Sequence, residues 1–206
     1  MSRTQIMNIR THQWPWFAIL VRTGEEKSAA LHLENGGYEC FLPLSNCAGR
    51  YADGIEPTPI PLFAGYLFCR MNPRNRIPVL RTPGVIQIVG VGKKPVPVDE
   101  GEISAIQRSG KSGLATMPWP YLRAGIATRM ADGPLQGLTG IVVRIKFGMK
   151  LVLSVGILQR SMAVAIDRSW IGTARHGQTA AQISLVHRPT PPHLEINRLE
   201  STPGRP

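Results

Sequence analysis

The sequence predicts an α+β chain in which an α/β sandwich is followed by a small β-barrel. Helix patterns alternate with short apolar strands over residues 14–110, an order that is typical of one α/β sandwich. Short strands separated by turn signals follow from residue 126, and this regular spacing is typical of a small barrel. A hydrophobic content of 43% in 206 residues supports a packed core.

The sandwich begins with Trp16–Arg22, a short apolar run that is bounded by Gly24 and predicts a buried strand. A helix is expected next, capped by Thr23 and ended by Gly36 and Gly37. A final helix is expected at 99–108, with Asp99 as its N-cap. The remaining elements are expected as strands at 38–42, 62–71 and 85–89, and as a weakly helical segment at 73–82 that Pro78 interrupts.

The barrel is organised around Asp132–Val143, with the sequence DGPLQGLTGIVV. Asp132, Gly133 and Pro134 predict a tight turn, since glycine permits a positive φ and proline fixes φ near the turn value. Strands are expected at 126–130, 141–147, 151–157 and 162–166, with a turn at Gly148–Lys150.

The segments outside the two folded parts are rich in turn-forming or polar residues. Residues 1–13 are expected to form a flexible leader. Residues 111–122 contain glycine and proline with few core candidates and are expected to form a linker. The barrel is placed at 123–172, and residues 173–206 are expected to be a disordered tail.

The formal charge of +11 favours polyanionic partners, with nucleic acid first. An enzyme is not expected, because residues 90–94 lack the spacing of a phosphate-binding loop and the five histidines show no metal-ligand pairing. No cofactor or metal is therefore expected. Cys40, Cys47 and Cys69 are expected to be free thiols. No apolar run has the length of a membrane span, so we expect a cytoplasmic protein with no membrane partner.

Both parts resemble the NusG family of transcription factors. The turn and strand at 132–143 resemble a KOW motif, which also occurs in some ribosomal proteins. The first part resembles an NGN domain through Trp16–Phe17, Phe63–Leu67, Arg81–Val85 and Pro95–Val98. The resemblance implies an NGN-type sandwich with a mainly antiparallel four-stranded sheet, followed by an SH3-like KOW barrel. It also implies a non-catalytic factor in transcription elongation and antitermination.

The resemblance implies that an apolar patch of the NGN domain binds the clamp helices of the largest RNA polymerase subunit. Phe63 and Tyr66 match positions that line this patch, and Tyr38 and Phe41 are expected to extend it. Alternation along a strand would place Phe63 and Tyr66 on opposite faces. We expect Phe63 to be exposed and Tyr66 to be partly buried; the alternative is that these aromatic residues are core.

A second contact is implied with the non-template DNA strand. Arg81 and Thr82 match the turn that touches this strand in related factors. Arg74 and Arg76 are expected to extend the site, and Arg70 lies near them in sequence. Arginines here would bind phosphate or stack on bases. The alternative is a solvated charged loop.

The KOW barrel is implied to recruit a ribosomal protein, the termination helicase Rho or RNA. Leu158 matches a contact position that is usually aromatic, and this change weakens the expectation for the first two partners. Lys146, Lys150 and Arg160, together with Arg144, make the barrel basic and suit RNA. Ala64, in place of a usual proline, points away from a housekeeping factor and towards a specialised member of the family.

Two other functions remain open from the sequence. A ribosome-associated, RNA-binding KOW protein would explain the basic barrel, although it would not need the aromatic motif around Phe63. A factor that silences transcription through Rho would use the same two domains with the opposite regulatory effect.

Overall fold

The computed structural model describes residues 14–46, 58–122, 125–146 and 148–171. The expected leader at 1–13, the tail at 173–206 and Cys47 lie outside the described residues. Cys40 and Cys69 are free thiols.

The N-terminal half, residues 14–111, forms a sandwich around an antiparallel four-stranded sheet. The strand order is β2-β3-β1-β4, which confirms the predicted four-stranded sheet. A two-stranded hairpin, β5–β6, follows the sheet. The elements are β1 (Trp16–Val21), α1 (Glu26–Asn35), β2 (Glu39–Phe41), β3 (Tyr66–Arg70), α2 (Ile77–Leu80), β4 (Val85–Ile88), β5 (Gly90–Val91), β6 (Lys94–Pro95) and α3 (Glu100–Lys111).

Side-chain alternation along the strands divides the sandwich into two apolar layers. One layer lies between the sheet and α1, where Ile19 and Leu67 pack with Ala29 and Leu33. The other layer lies on the opposite face of the sheet, and its buried members include residues of α3. These members are Trp16, Ala18, Leu62, Phe63, Phe68, Val98, Ile103 and Ile106.

The helix boundaries confirm one predicted cap and correct the other. The Asp99 carboxylate accepts hydrogen bonds from the backbone N–H groups of Gly101 (2.8 Å) and Glu102 (3.1 Å), as an N-cap does. Thr23 does not cap α1, because this helix begins at Glu26 and has no side-chain cap. The Glu26 carboxylate instead folds back onto the N–H of Gly24 at 2.8 Å.

The C-terminal half, residues 116–171, forms the barrel from a five-stranded antiparallel sheet. The strand order is β7-β11-β10-β9-β8, and a bridge between Met130 and Ile171 lies beyond the named strands. This arrangement confirms the predicted barrel. The elements are β7 (Thr116–Trp119), β8 (Ala127–Arg129), β9 (Thr139–Ile145), β10 (Gly148–Val155), η1 (Gly156–Leu158), β11 (Arg160–Ile166) and η2 (Arg168–Trp170).

Two segments that the sequence favoured as turn or linker are strands in the structure. The expected turn at Gly148–Lys150 is wrong, because β10 begins at Gly148 and the turn lies at Lys146. Within 111–122, Thr116–Trp119 forms β7 and pairs with β11. β7 is the edge strand of the sheet, where a proline such as Pro118 is tolerated because one side of the strand makes no ladder bonds.

A single apolar cluster extends through both halves. Trp16, Phe63 and Ile103 of the sandwich belong to it, together with Leu151 and Met162 of the barrel. The barrel is therefore docked on the face of the sandwich sheet that α1 leaves open.

Candidate functional site

Phe63 is buried, so its predicted exposure is wrong. Its side chain is 1% exposed, and its ring meets that of Phe68 edge to face at a centroid distance of 5.9 Å. Strand alternation does not apply here, because β3 begins only at Tyr66 and residues 63–66 form a turn. The Tyr66 N–H donates to the Phe63 carbonyl at 2.9 Å, and Gly65 has a φ of +80°.

The turn at 63–66 is held from across the chain by Glu26. This carboxylate is 4% exposed and accepts a 2.9 Å hydrogen bond from the Gly65 N–H. The same side chain accepts from Gly24, as described above. A buried carboxylate is tolerated when N–H groups satisfy it, so Glu26 fixes both the turn and the backbone before α1.

Tyr66 and Phe41 lie on the docking face of the sandwich, whereas Tyr38 does not. Tyr66 is half-buried, which confirms the expectation for this residue. Phe41 is half-buried and stacks on Phe68 with centroids 6.1 Å apart. Tyr38 packs instead against the layer beneath α1. Burial, followed by the proximity of Cys69, raises the pKa of Tyr38.

The barrel covers the part of this face that carries Tyr66. The Arg160 guanidinium lies 5.5 Å from the centroid of the Tyr66 ring, a cation–π contact between the two halves. The Gly156 N–H donates to a Glu102 carboxylate oxygen at 3.0 Å. Arg108 of α3 donates to the Gln136 carbonyl of the barrel at 2.7 Å. The docked arrangement is thus fixed by both polar and aromatic contacts.

Glu102 is the titratable group at this contact. Burial raises the pKa of its carboxyl, the hydrogen bond from Gly156 opposes that rise, and the nearby Asp99 adds to it. The same residue lines a mostly apolar cavity of about 500 Å³ between α3 and the barrel, together with Leu138 and Val152.

The residues predicted to contact DNA gather around α2, on the part of the sandwich beside β4. Arg74 and Arg81 are exposed. Arg76 is half-buried, and its guanidinium donates to the Lys93 carbonyl at 2.7 Å, which joins α2 to the β5–β6 hairpin. The Thr82 hydroxyl donates to the Pro78 carbonyl at 3.2 Å.

Arg70 does not belong to this basic group. Its guanidinium lies 4.6 Å from the centroid of the Trp16 ring and pairs with Glu39 at 3.2 Å. It also forms an ion pair with Glu100 at the start of α3. Arg70 therefore neutralises two carboxylates and joins β3 to β2 and α3.

The four predicted partner residues of the barrel do not form one surface. Leu158, in η1, is half-buried against the shared core, and Arg160 is exposed and lies on Tyr66. Lys146 is exposed in its turn. Lys150 is only 7% exposed, so its expected place on an open basic surface is wrong.

Lys150 is buried because β10 starts three residues earlier than the sequence suggested. The strand sets Lys150 opposite Val143 and Ala165. Its ammonium lies 5.9 Å from the centroid of the Trp119 ring, and the long stem of a lysine packs readily on apolar neighbours. Desolvation lowers the pKa of this ammonium.

Three residues of the site were missed by sequence reasoning. In the sequence, Glu26 and Glu102 were noted only as favourable negative charges in the first turns of helices. Solvent-exposed glutamates occur at such positions as well, so this pattern does not identify a buried contact. Trp119 lay in the segment expected to be a linker. The run Ala115-Thr116-Met117 before Pro118, with Trp119 after it, was the available sign of a strand.

Neither metal ligation nor membrane insertion is supported by what the structure describes. Among residues 14–46, 58–122, 125–146 and 148–171, no three His, Cys, Asp or Glu side chains are grouped to hold a metal ion. Within the same part of the chain, no helix has both the length and the apolar character needed to cross a membrane.

Comparison with known proteins agrees with this architecture. The family described as "Transcription termination factor nusG" matches residues 15–107. The transcription termination/antitermination protein NusG of Thermus thermophilus is 29% identical, over 76% of this chain and 96% of the relative. The corresponding protein of Campylobacter jejuni is 27% identical, over 76% and 94% of the two chains.

A solved structure shows the same fold. The structure described as "Domain interaction in Thermotoga maritima NusG" matches with a TM-score of 0.50 and 18% identity, and covers 78% of this chain and 97% of its own. The two sequence relatives and the solved structure each match about three quarters of this chain. Residues 15–107 therefore form a NusG-family domain, and over most of its length the chain is similar to the transcription termination/antitermination protein NusG.

Proposed function

We propose that this protein binds RNA polymerase through the sandwich face that carries Tyr66 and Phe41, and suppresses pausing or termination. The observation that carries the proposal is the contact between Tyr66 and Arg160, since the barrel covers an aromatic face that α1 leaves open. The barrel packs on this aromatic face, so the face is apolar enough to bind an external partner after the barrel has left.

The proposed partner on polymerase is the pair of clamp helices of its largest subunit. A factor that binds the closed clamp more tightly than the open clamp shifts the population towards the closed state. Pausing requires the clamp to move, so this preference would reduce pausing. Phe63 is buried within the shared cluster, so it contributes to the interface only after that cluster opens.

Docking of the barrel and binding of polymerase then compete for the same face. Release of the barrel would also free Leu158 and Arg160, the residues proposed to recruit a ribosomal protein or Rho. A domain interaction is described for the related NusG of Thermotoga maritima. We propose that domain interaction in this chain keeps both partner surfaces covered until polymerase displaces the barrel.

The basic residues around α2 are proposed to contact the non-template DNA strand. Arg74 and Arg81 are exposed and are separated from the face covered by the barrel, so they remain accessible in the docked protein. Arginine side chains in such a position attract phosphate and stack on unpaired bases. This contact would add affinity without requiring the barrel to leave.

The test is capture of the full chain by its host's core RNA polymerase. Tyr66→Asp places a charge in the proposed interface and is expected to weaken capture about tenfold or more. Leu31→Asp is the matched control, because Leu31 is exposed on α1 beneath the opposite face of the sheet. Arg160→Glu removes the contact that holds the barrel and is expected to increase capture.

Retained capture by Tyr66→Asp, with a normal melting profile, would contradict the proposed interface. Capture by ribosomes or RNA without any capture by polymerase would favour the second function, a ribosome-associated RNA-binding protein. The burial of Lys150 counts against that second function, because it removes one cation from the open surface of the barrel.

A further inference from the structure

A second cavity, here called the junction cavity, lies where the barrel meets the sandwich. Its volume is about 360 Å³. Leu62 of the sandwich forms part of its wall, and the rest comes from β7, the residues after it, the end of η1 and the start of β11. These barrel residues are Pro118, Trp119, Pro120, Tyr121, Leu158, Gln159, Arg160 and Ser161.

Two cations near this cavity have no neutralising carboxylate among the described residues. Within the described residues, ion pairs are formed by Arg22 and Arg70, and neither Arg160 nor Lys150 takes part in one. Arg160 lines the cavity, and its guanidinium rests on the Tyr66 ring. Lys150 lies against Trp119, another residue of the cavity wall. Among the described residues, nothing therefore compensates the positive charge beside the cavity.

The indole of Trp119 adds a donor without an acceptor. Its Nε1 atom is buried and has no hydrogen-bond partner in the part of the chain that the structure describes. Buried polar groups in proteins are nearly always bonded, so an unsatisfied N–H needs an explanation, of which a missing ligand or ion is one. The two neighbouring hydroxyls are already engaged, since Ser161 and Ser154 share a hydrogen bond of 2.7 Å.

We propose that the junction cavity binds a nucleoside monophosphate, either free or as one unit of single-stranded RNA. An oxyanion would neutralise Arg160 in a charge-assisted contact and would lie in the field of Lys150. The cavity is larger than a phosphate needs, and its volume lies in the range of small-ligand sites. Trp119 and Tyr121 supply aromatic surfaces of the kind on which bases stack.

The proposal goes beyond polymerase binding and does not depend on it. The cavity exists in the docked chain, because Leu62 comes from one half and the remaining wall from the other. A nucleotide held there would bind the docked form and not the separated form. It would therefore stabilise docking by mass action.

The experiment is calorimetric titration of the full chain, without polymerase, using adenosine and uridine monophosphates. Adenosine, uridine and inorganic phosphate are titrated in parallel, and a short single-stranded RNA serves as a separate arm. We expect saturable binding of the monophosphates or of the RNA, and at least ~tenfold weaker binding of the nucleosides, which lack the oxyanion. Binding of RNA alone would assign the site to a nucleotide within a chain.

Three variants locate the binding. Arg160→Gln is expected to weaken it about tenfold or more by removing the charge, and Trp119→Phe by ~tenfold by removing the indole N–H while keeping a ring. Trp119→Phe leaves the Arg160–Tyr66 contact in place, so its effect does not depend on docking. Arg129→Gln is the matched control, because Arg129 is exposed on β8 and does not line the cavity.

The proposal would be overturned by three results. One is the absence of binding by every phosphate-bearing probe. Another is inorganic phosphate binding as tightly as the monophosphates, which would leave no role for the base. The third is an unchanged affinity in both Arg160→Gln and Trp119→Phe, or an equal loss in Arg129→Gln.

Discussion

The Glu102 carboxylate accepts a hydrogen bond of 3.0 Å from the Gly156 N–H, which joins α3 of the sandwich to η1 of the barrel. This bond fixes the docked arrangement at a group whose charge depends on pH. Its partner is a backbone N–H, so it needs an acceptor at this position but does not need a negative charge.

We predict that docking weakens as pH rises through the range just above 4.3, the ordinary glutamate pKa. Burial raises the pKa of Glu102 in the docked state, so this state binds more protons than the released state in that range. The proton on Glu102 therefore stabilises docking fully at pH values below the ordinary pKa. This stabilisation is lost as pH rises through the raised pKa of the docked state. Fluorescence energy transfer between one dye on the sandwich and one on the barrel would measure the docked fraction at each pH.

Glu102→Gln is the informative variant for this pH dependence. Its amide oxygen still accepts from Gly156, so we expect docking at neutral pH to be at least as strong as in the wild type and independent of pH in this range. Weaker docking in Glu102→Gln would show that the charge itself holds the halves together.

We predict that Glu26→Ala destabilises the sandwich by about 2–4 kcal/mol, because two N–H groups lose a charged acceptor. The Gly65 N–H is buried and the Gly24 N–H is partly buried, so water would not fully replace the carboxylate. Urea unfolding measures the change. Glu34→Ala is the control, since Glu34 lies exposed on the same helix; an equal loss in the two variants would rule out the role given to Glu26.

Two glycine substitutions are expected to change stability in opposite directions. Gly65→Ala should cost about 1–3 kcal/mol, because a φ of +80° is strained for alanine even though the nearest atoms are 3.6 Å from the added carbon. Gly110→Ala, in open space near the end of α3, should stabilise by up to about 1 kcal/mol through helix propensity. Guanidinium unfolding of both variants tests whether backbone conformation explains the difference.

We predict that Lys150→Met raises stability, or leaves it unchanged, in the absence of ligand. The substitution replaces a buried cation, which has no carboxylate partner among the described residues, with an apolar side chain of similar size. Because desolvation lowers the pKa of Lys150, wild-type stability should rise with pH between the lowered value and the ordinary lysine value of about 10.4. Thermal melting at several pH values should show that this rise is absent in Lys150→Met.

The fold could be predicted from local patterns because strand periodicity, turn glycines and the Asp99 cap act over a few residues. The burial of Phe63 could not be predicted from such local patterns. Its exposure depends on a turn held by Glu26, 39 residues away from Gly65, and on the docked barrel. No pattern within the motif around Phe63 carries that information.

The barrel residues show a second limit. Counting lysines and arginines identified a basic domain but not which cations face solvent. A shift of three residues in the start of β10 moved Lys150 from an expected turn to a buried strand position. The effect of register is large, since neighbouring positions on a strand point to opposite faces.

The strand β7 has a consequence for how far the two halves can separate. Only residues 112–115 lie between the end of α3 and the start of β7. Fully extended, the chain from Lys111 to Thr116 spans no more than about 18 Å. A released barrel therefore stays within a small volume around its docking face, at an effective concentration in the millimolar range or above. A partner bound to the docking face competes with the tethered barrel for as long as it stays there. The residence time of the partner therefore sets how long the barrel remains displaced.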